Sequence, residues 1–146
     1  MADRTAVEAF IDGYRQTFES FDVAAIAGHF AFPLHITGEA HEVSLTVVPA
    51  AEHWQPAIER IVGAYRTLGV AHAKARSIEI VDVTARIGQA NVHWDLRRTD
   101  DHPVYDFHAS YTVAQTPDGL RITAIVHDEG PRMASAMAKH HGTVIG

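Results

Sequence analysis

The alternation of hydrophobic and polar positions is clearest between residues 89 and 128, where it has a period of two. The pattern runs through three stretches, which are separated by polar residues 98–102 and by Pro117-Asp118-Gly119. Because successive strand side chains point to opposite faces, it predicts three antiparallel strands with one apolar and one polar face. The apolar positions are Ala90, Val92, Trp94, Leu96, Tyr105, Phe107, Ala109, Tyr111, Val113, Leu120, Ile122, Ala124 and Val126. Continued by one step, the same alternation places Asp128 on the apolar face.

Helical periodicity dominates the first thirty residues. Apolar side chains recur at helical spacing over residues 7–21, which predicts a long first helix with one apolar stripe. Asp22 is placed to cap a short second helix, and Pro33 is expected to end it. Residues 34–37 and 43–48 then predict two short strands joined as a hairpin.

A third helix and the start of the main sheet follow the hairpin. The two prolines within residues 49–56 bracket the start of this helix, and Gly69 is placed to end it. Residues 72–83 predict a long strand, and residues 133–139 could form a helical turn. The order indicates an α+β fold with the helices gathered on one face of an antiparallel sheet, as a single domain over residues 1–146.

Composition restricts the classes of partner and of chemistry. The net charge of −6 argues against nucleic acid or an anionic membrane as a partner. The absence of cysteine excludes disulfides, thiolate nucleophiles and cysteine-ligated metals, and it is typical of a reducing compartment. The chain opens into an amphipathic pattern rather than an apolar signal stretch, so a cytoplasmic protein is expected.

Two stretches carry a resemblance to a known family. Phe10-Ile-Asp-Gly-Tyr14 through Phe21-Asp22-Val-Ala-Ala-Ile26, and Asp118-Gly-Leu-Arg-Ile122 leading into His127-Asp128, resemble the nuclear-transport-factor-2-like superfamily. That superfamily includes the SnoaL-like proteins and ketosteroid isomerase. The resemblance covers about Thr5 to Glu129 and implies a curved sheet that wraps the long helix into a cone. It also implies a small-molecule pocket between the concave face and the helices, and frequent homodimers.

The catalytic residues of ketosteroid isomerases carry over only in part. Tyr14 falls where those enzymes keep the tyrosine of their oxyanion hole. Their general-base aspartate would fall near Gly38, and their second, protonated aspartate near Ala109, so neither is present. The resemblance therefore argues against steroid isomerisation by that mechanism. The chain also shows no clear match to the Asp-Arg-Asp arrangement of the epoxide hydrolases that share the fold.

The apolar face of the predicted sheet and the helix stripes supply many aromatic side chains. One interpretation is a pocket whose phenols orient a flat or apolar ligand. The alternative is a packed core in which the tyrosine hydroxyls are satisfied locally. The candidate ligand-binding residues are Phe18, Trp54, Tyr65, Trp94, Phe107 and Tyr111.

Asp128 and Tyr14 are the candidate catalytic residues. A carboxylate at the rim of an apolar pocket would have a raised pKa and could act as a general base, with Tyr14 as hydrogen-bond donor. The expected chemistry is cofactor-independent proton transfer (isomerisation, cyclisation or dehydration) on a small apolar or aromatic molecule. In the alternative, the strand has frayed, Asp128 is solvated or caps the next segment, and the chain is a non-catalytic ligand-binding or dimerisation module.

The polar face of the sheet carries histidines whose environment depends on strand register. In one register Arg97 faces Asp106, and in an adjacent one His93 faces His108. The second register, together with His127, could bring three histidines near a metal. Cross-strand polar pairs on a solvent-facing or homodimer-facing sheet explain the same residues, and no metal is expected.

Overall fold

The computed structural model describes residues 3–145, with side chains described as far as residue 141, as four helices around one six-stranded sheet. The helices are α1 (Arg4–Glu19), α2 (Val23–Ala27), α3 (Ala51–Leu68) and α4 (Glu129–Ile145). The strands are β1 (Phe30–Glu39), β2 (Val43–Val48), β3 (His72–Thr84), β4 (Ile87–Arg97), β5 (Pro103–Thr116) and β6 (Gly119–His127). The predicted α+β class is confirmed.

The ends of the first three helices follow from local side-chain chemistry. The carboxylate of Asp3 accepts the backbone N–H of Ala6 at 2.7 Å and caps α1. Asp22 caps α2 in the same way, as the sequence predicted, by accepting the N–H of Ala25 at 3.1 Å. α3 ends at Gly69, whose φ of +77° lies in the left-handed region that glycine adopts without steric cost.

The strands lie in the order β2-β1-β6-β5-β4-β3. β1 runs parallel to β6, and every other neighbouring pair in this sheet is antiparallel. The first and third helices contribute buried apolar stripes to a single core over one sheet face. No helix within residues 3–145 is long and apolar enough to cross a membrane.

Two proline-containing segments differ from the sequence-based expectation. Pro33 does not end a helix, because α2 has already ended at Ala27; it lies inside β1, where the pairing with β6 is interrupted. The last segment is longer than the helical turn expected over residues 133–139. Pro131 lies in the first turn of α4, where a backbone N–H has no intrahelical partner to lose, so the helix continues over 17 residues.

A β-bulge in β6 interrupts the alternation on which the sequence prediction depends. Val113 pairs with Ile122, but the preceding residue of β5, Thr112, pairs with Ala124. Thr123 is therefore an extra residue on β6 with no partner of its own across the strand pair. A single inserted residue moves every later side chain of the strand to the opposite face.

The bulge reverses the direction of the side chains at the end of β6. Ile125 is buried at 8% exposure, whereas Val126, expected on the apolar face, is 52% exposed. His127 and Glu129 consequently share the inward direction, and Asp128 points away from the core. The inward placement predicted for Asp128 is wrong, because regular alternation does not continue past Thr123.

Candidate functional site

A cavity of about 110 Å³ lies between the concave face of the sheet and helices α1 and α3. Its walls are mainly apolar and include the predicted residues Tyr14, Phe18, Trp54, Tyr65, Trp94, Phe107 and Tyr111. An apolar protein cavity of about 150 Å³ is known to hold benzene, so this space suits roughly one ring. The candidate pocket residues thus lie together, although ligand binding itself stays a prediction.

The aromatic rings of the wall support one another by edge-to-face contacts. The centroid of the Tyr14 ring lies 5.7 Å from those of Phe18, Phe30 and Tyr111. Trp54 packs on Phe30 at 5.3 Å with an interplanar angle of 72°. These are the favourable geometries for aromatic pairs, so the wall is positioned before any ligand arrives. The aromatic side chains thus form a packed core that leaves a cavity, and a role of their phenols in orienting a ligand stays a prediction.

Glu129, the first residue of α4, supplies one of the two acidic groups that line the cavity among the described residues, the other being Glu19. The hydroxyl groups of Tyr65 and Tyr105 both donate to its Oε2 atom, Tyr105 at 2.8 Å. Burial raises the pKa of the Glu129 carboxyl group, and the two tyrosine hydrogen bonds act in the opposite direction. The group is thus a partly buried acid fixed by two phenols.

The tyrosines that line the cavity, and Tyr105 beside it, are neutral hydrogen-bonding groups. Burial raises the pKa of Tyr65 and of Tyr105, and the charge of the neighbouring Glu129 raises it further. Burial likewise raises the pKa of Tyr14 and of Tyr111. Each phenol therefore keeps its proton at any physiological pH and can act only as a hydrogen-bonding group.

His127 lies on the same wall as Glu129. The backbone N–H of Glu129 donates to Nδ1 of His127 at 3.1 Å, which assigns the proton of the neutral ring to Nε2. Burial lowers the pKa of His127, with the nearby Asp128 charge opposing the shift. The imidazole is therefore a neutral group whose tautomer is set by the start of α4.

Charged residues close the cavity at the end of α1. Glu19 accepts a hydrogen bond from Arg15 at 2.9 Å and another from the backbone N–H of Ala73 on β3 at 2.8 Å. Arg15 also donates to Asp12 at 2.9 Å. The arginine at the rim is thus neutralised by two carboxylates, and this arrangement does not favour an anionic ligand.

Asp128 has a structural environment outside the cavity. Its Oδ1 accepts the backbone N–H of His108 at 2.7 Å, and its Oδ2 lies 3.8 Å from Nη2 of Arg132. The inward acid predicted at Asp128 is instead Glu129, which the sequence pattern did not single out. One signal could have revealed it: Ala124-Ile125-Val126 is an unbroken apolar run, which is incompatible with strict alternation.

The polar face of the sheet adopts the register in which His93 faces His108. The two imidazole rings stack at 4.1 Å between centroids, and Nε2 of His93 lies 2.7 Å from Oδ2 of Asp106. The alternative register is wrong, because Arg97 pairs with Asp95 on its own strand, at 2.7 Å. Among the described residues, no group of three or more His, Cys, Asp or Glu side chains is arranged to hold a metal ion.

Comparisons with solved structures show the same fold in distant proteins. The chain is similar to an NTF-2-like protein of unknown function from Shewanella oneidensis MR-1, with 17% identity, a TM-score of 0.64 and coverage of 84% of this chain and 95% of the other. A domain of unknown function with a cystatin-like fold from Nostoc punctiforme PCC 73102 shows 13% identity and a TM-score of 0.65, with coverage of 88% and 77%. Aln2 from a Streptomyces species shows 12% identity and a TM-score of 0.63, with coverage of 84% and 86%. At these identities the likeness establishes the fold alone.

Sequence comparison identifies the family. No curated protein matches the chain significantly. The profile described as NTF2-like protein (DUF6841) matches residues 3–130, which is most of the chain. The resemblance to the nuclear-transport-factor-2-like superfamily is thereby confirmed, and the chain belongs to the NTF2-like protein family DUF6841.

Proposed function

We propose that the cavity binds a small neutral molecule, of about one aromatic or aliphatic ring, and that Glu129 exchanges a proton with it. The observation that carries this proposal is the Glu129 carboxyl group, partly buried at the wall of an aromatic cavity and fixed by Tyr65 and Tyr105. Perturbed titratable groups inside clefts are candidate catalytic groups, because their pKa is adjusted toward the working pH.

The geometry of Glu129 suits a general base. Both tyrosines donate to the same oxygen, Oε2, so they leave Oε1 as the oxygen for a ligand proton. A raised pKa makes the carboxylate a stronger base than an exposed glutamate. The two hydrogen bonds also restrict rotation of the group, which reduces the entropy lost when a ligand is positioned.

The chemistry is that of a carbon acid next to a carbonyl group. Glu129 takes a proton from the carbon beside the carbonyl, and the C–H electron pair moves toward the carbonyl oxygen to form an enolate. Tyr14, which also lines the cavity, donates a hydrogen bond to the oxygen as its charge develops. Return of the proton from Glu129 to another carbon completes isomerisation. Exchange is completed when the protonated Glu129 first trades its proton with solvent and then delivers the solvent proton to the same carbon, and neither route needs a cofactor.

The test uses acetophenone, a one-ring ketone, in D₂O. We expect the wild-type protein to accelerate exchange of the methyl protons for deuterium, measured by ¹H NMR, and Glu129→Gln to reduce the rate to the solvent background. The matched control is Asp128→Asn, the adjacent acid on the opposite face, which should exchange at the wild-type rate. Equal rates in Glu129→Gln and wild type would rule out Glu129 as the base.

We propose, as a second candidate, that two copies associate through the outer face of the sheet. Aliphatic side chains are exposed there on strands β2 and β6, including Leu45 at 80% and Val126 at 52%. Exposed apolar groups of this kind are typical of association surfaces. This homodimer is compatible with the cavity proposal, because the outer face and the cavity lie on opposite sides of the sheet.

A further inference from the structure

The two tryptophans of the cavity wall differ in whether the indole N–H group has a hydrogen-bond partner. Nε1 of Trp94 donates to the hydroxyl oxygen of Tyr111 at 2.8 Å. Nε1 of Trp54 is buried and, among the described residues, has no hydrogen-bond partner. Both side chains are more than nine-tenths buried, so solvent does not compensate for the missing bond.

A buried donor without an acceptor is costly, and nearly all such groups in folded proteins are paired. The cavity that Trp54 lines is mainly apolar, and an ordered water molecule requires two to four polar partners. The edge-to-face contact of Trp54 with Phe30 stabilises the ring. It does not replace a full acceptor for the N–H.

We infer that the indole N–H of Trp54 donates a hydrogen bond to an oxygen acceptor of the bound molecule. This inference rests on the proposed function, and it narrows the ligand to neutral one-ring compounds that carry a carbonyl or equivalent oxygen. A hydrocarbon of the same shape leaves Trp54 unpaired and binds more weakly. Tyr14, which packs on the same Phe30 ring as Trp54, provides a second donor in this part of the wall.

A ligand with a neutral oxygen acceptor agrees with the charges around the cavity. Glu129 and the Arg15–Glu19 pair provide no uncompensated cation for a carboxylate or phosphate ligand. Neutral donors from Trp54 and Tyr14 instead match a neutral oxygen with two lone pairs. A site built to hydrogen-bond a ligand discriminates strongly against the analogue that lacks the acceptor.

The test compares acetophenone with ethylbenzene, which differ by a carbonyl in place of a methylene. Dissociation constants are measured by titration calorimetry for wild type, Trp54→Phe and the matched variant Trp94→Phe. We expect Trp54→Phe to weaken acetophenone binding about threefold to tenfold, the range of one net hydrogen bond, and to leave ethylbenzene binding nearly unchanged. Trp94→Phe should change both affinities by the same factor, because its N–H is already bonded within the protein.

A second measurement needs no variant. In ¹⁵N-labelled wild-type protein, the Trp54 indole N–H resonance should move downfield on addition of acetophenone and not on addition of ethylbenzene. Equal effects of Trp54→Phe on both ligands, or an unmoved resonance, would overturn the role of Trp54 while leaving the cavity as a binding site. Failure of both ligands to bind wild-type protein would instead overturn the proposed function and this inference with it.

Discussion

Replacing Tyr105 by phenylalanine should make the stability of the protein more sensitive to pH. The substitution removes one hydroxyl that donates to Glu129 at 2.8 Å and keeps the aromatic ring in place. Tyr105 is only partly buried, so the loss of packing is small. The effect of the variant therefore reports on the hydrogen bond to Glu129.

The sign follows from the pKa of Glu129, which burial raises above the ordinary value of 4.5. A carboxyl group with a raised pKa in the folded state stabilises the fold at low pH, and this stabilisation is lost as pH rises through the folded-state pKa. The Tyr105 hydrogen bond opposes the shift, so it matters most when Glu129 is ionised. Its removal should enlarge the loss of stability at alkaline pH.

The loss in free energy of unfolding follows from the usual strengths of hydrogen bonds to charged and to neutral acceptors. A bond to an ionised group contributes about 1.5–3 kcal/mol, and a bond to a neutral group about 0.5–1.5 kcal/mol. Tyr105→Phe should therefore cost about 2 kcal/mol at pH 8 and about 1 kcal/mol at pH 4. For a chain of this length, the cost of about 2 kcal/mol at pH 8 corresponds to a decrease in melting temperature of roughly 4–8 °C.

The assay is urea denaturation of wild type and variant across this pH range, repeated in a Glu129→Gln background. Without an ionisable group at residue 129, Tyr105→Phe should cost the same free energy of unfolding at every pH. If Tyr105→Phe lowers the free energy of unfolding by the same amount at every pH in the wild-type background, Glu129 does not have the raised pKa that is assigned to it.

Two further predictions concern the residues outside the cavity. Asp128→Ala should lower the free energy of unfolding by about 0.5–1.5 kcal/mol in urea denaturation, because the backbone N–H of His108 loses its acceptor. The affinity for acetophenone should not change. A loss of affinity would place Asp128 in the binding site. Val126→Lys should reduce the mass of the proposed dimer to that of a monomer in light scattering, whereas the control Thr67→Lys on the exposed side of α3 should not. Equal masses for both variants and wild type would exclude the outer face as the interface.

Periodicity was sufficient to predict most of the fold. The apolar stripe from Val7 to Tyr14 and the alternation from Ala90 to Leu96 each require one face to be buried, and these side chains are buried. The aromatic wall followed from the same rule, because a side chain's face is fixed by its position in a regular element. Such predictions succeed wherever the element remains regular.

The acid of the cavity could not be placed by the same rule. The position of Glu129 depends on one extra residue, Thr123, and a bulge carries no strong signature in a single sequence. The hydrogen-bond states of Trp54 and Trp94 were likewise beyond prediction, since they depend on which side chains of distant segments meet. A sequence pattern predicts the face of the sheet or helix on which a side chain lies, but its hydrogen-bond partners depend on residues from distant segments.

The bulge at Thr123 has a consequence for insertions and deletions in β6. Asp128 and Glu129 are adjacent acids, and their side chains point to opposite sides of the sheet. Deletion of Thr123 would remove the bulge and leave Glu129 inward, because only the extra residue breaks the alternation. Insertion of one further residue between Thr123 and Asp128 would instead turn Asp128 inward and Glu129 outward. Either spacing would present a carboxylate to the cavity, so the acidic pair would preserve the proposed proton-transfer group through a one-residue change in strand length.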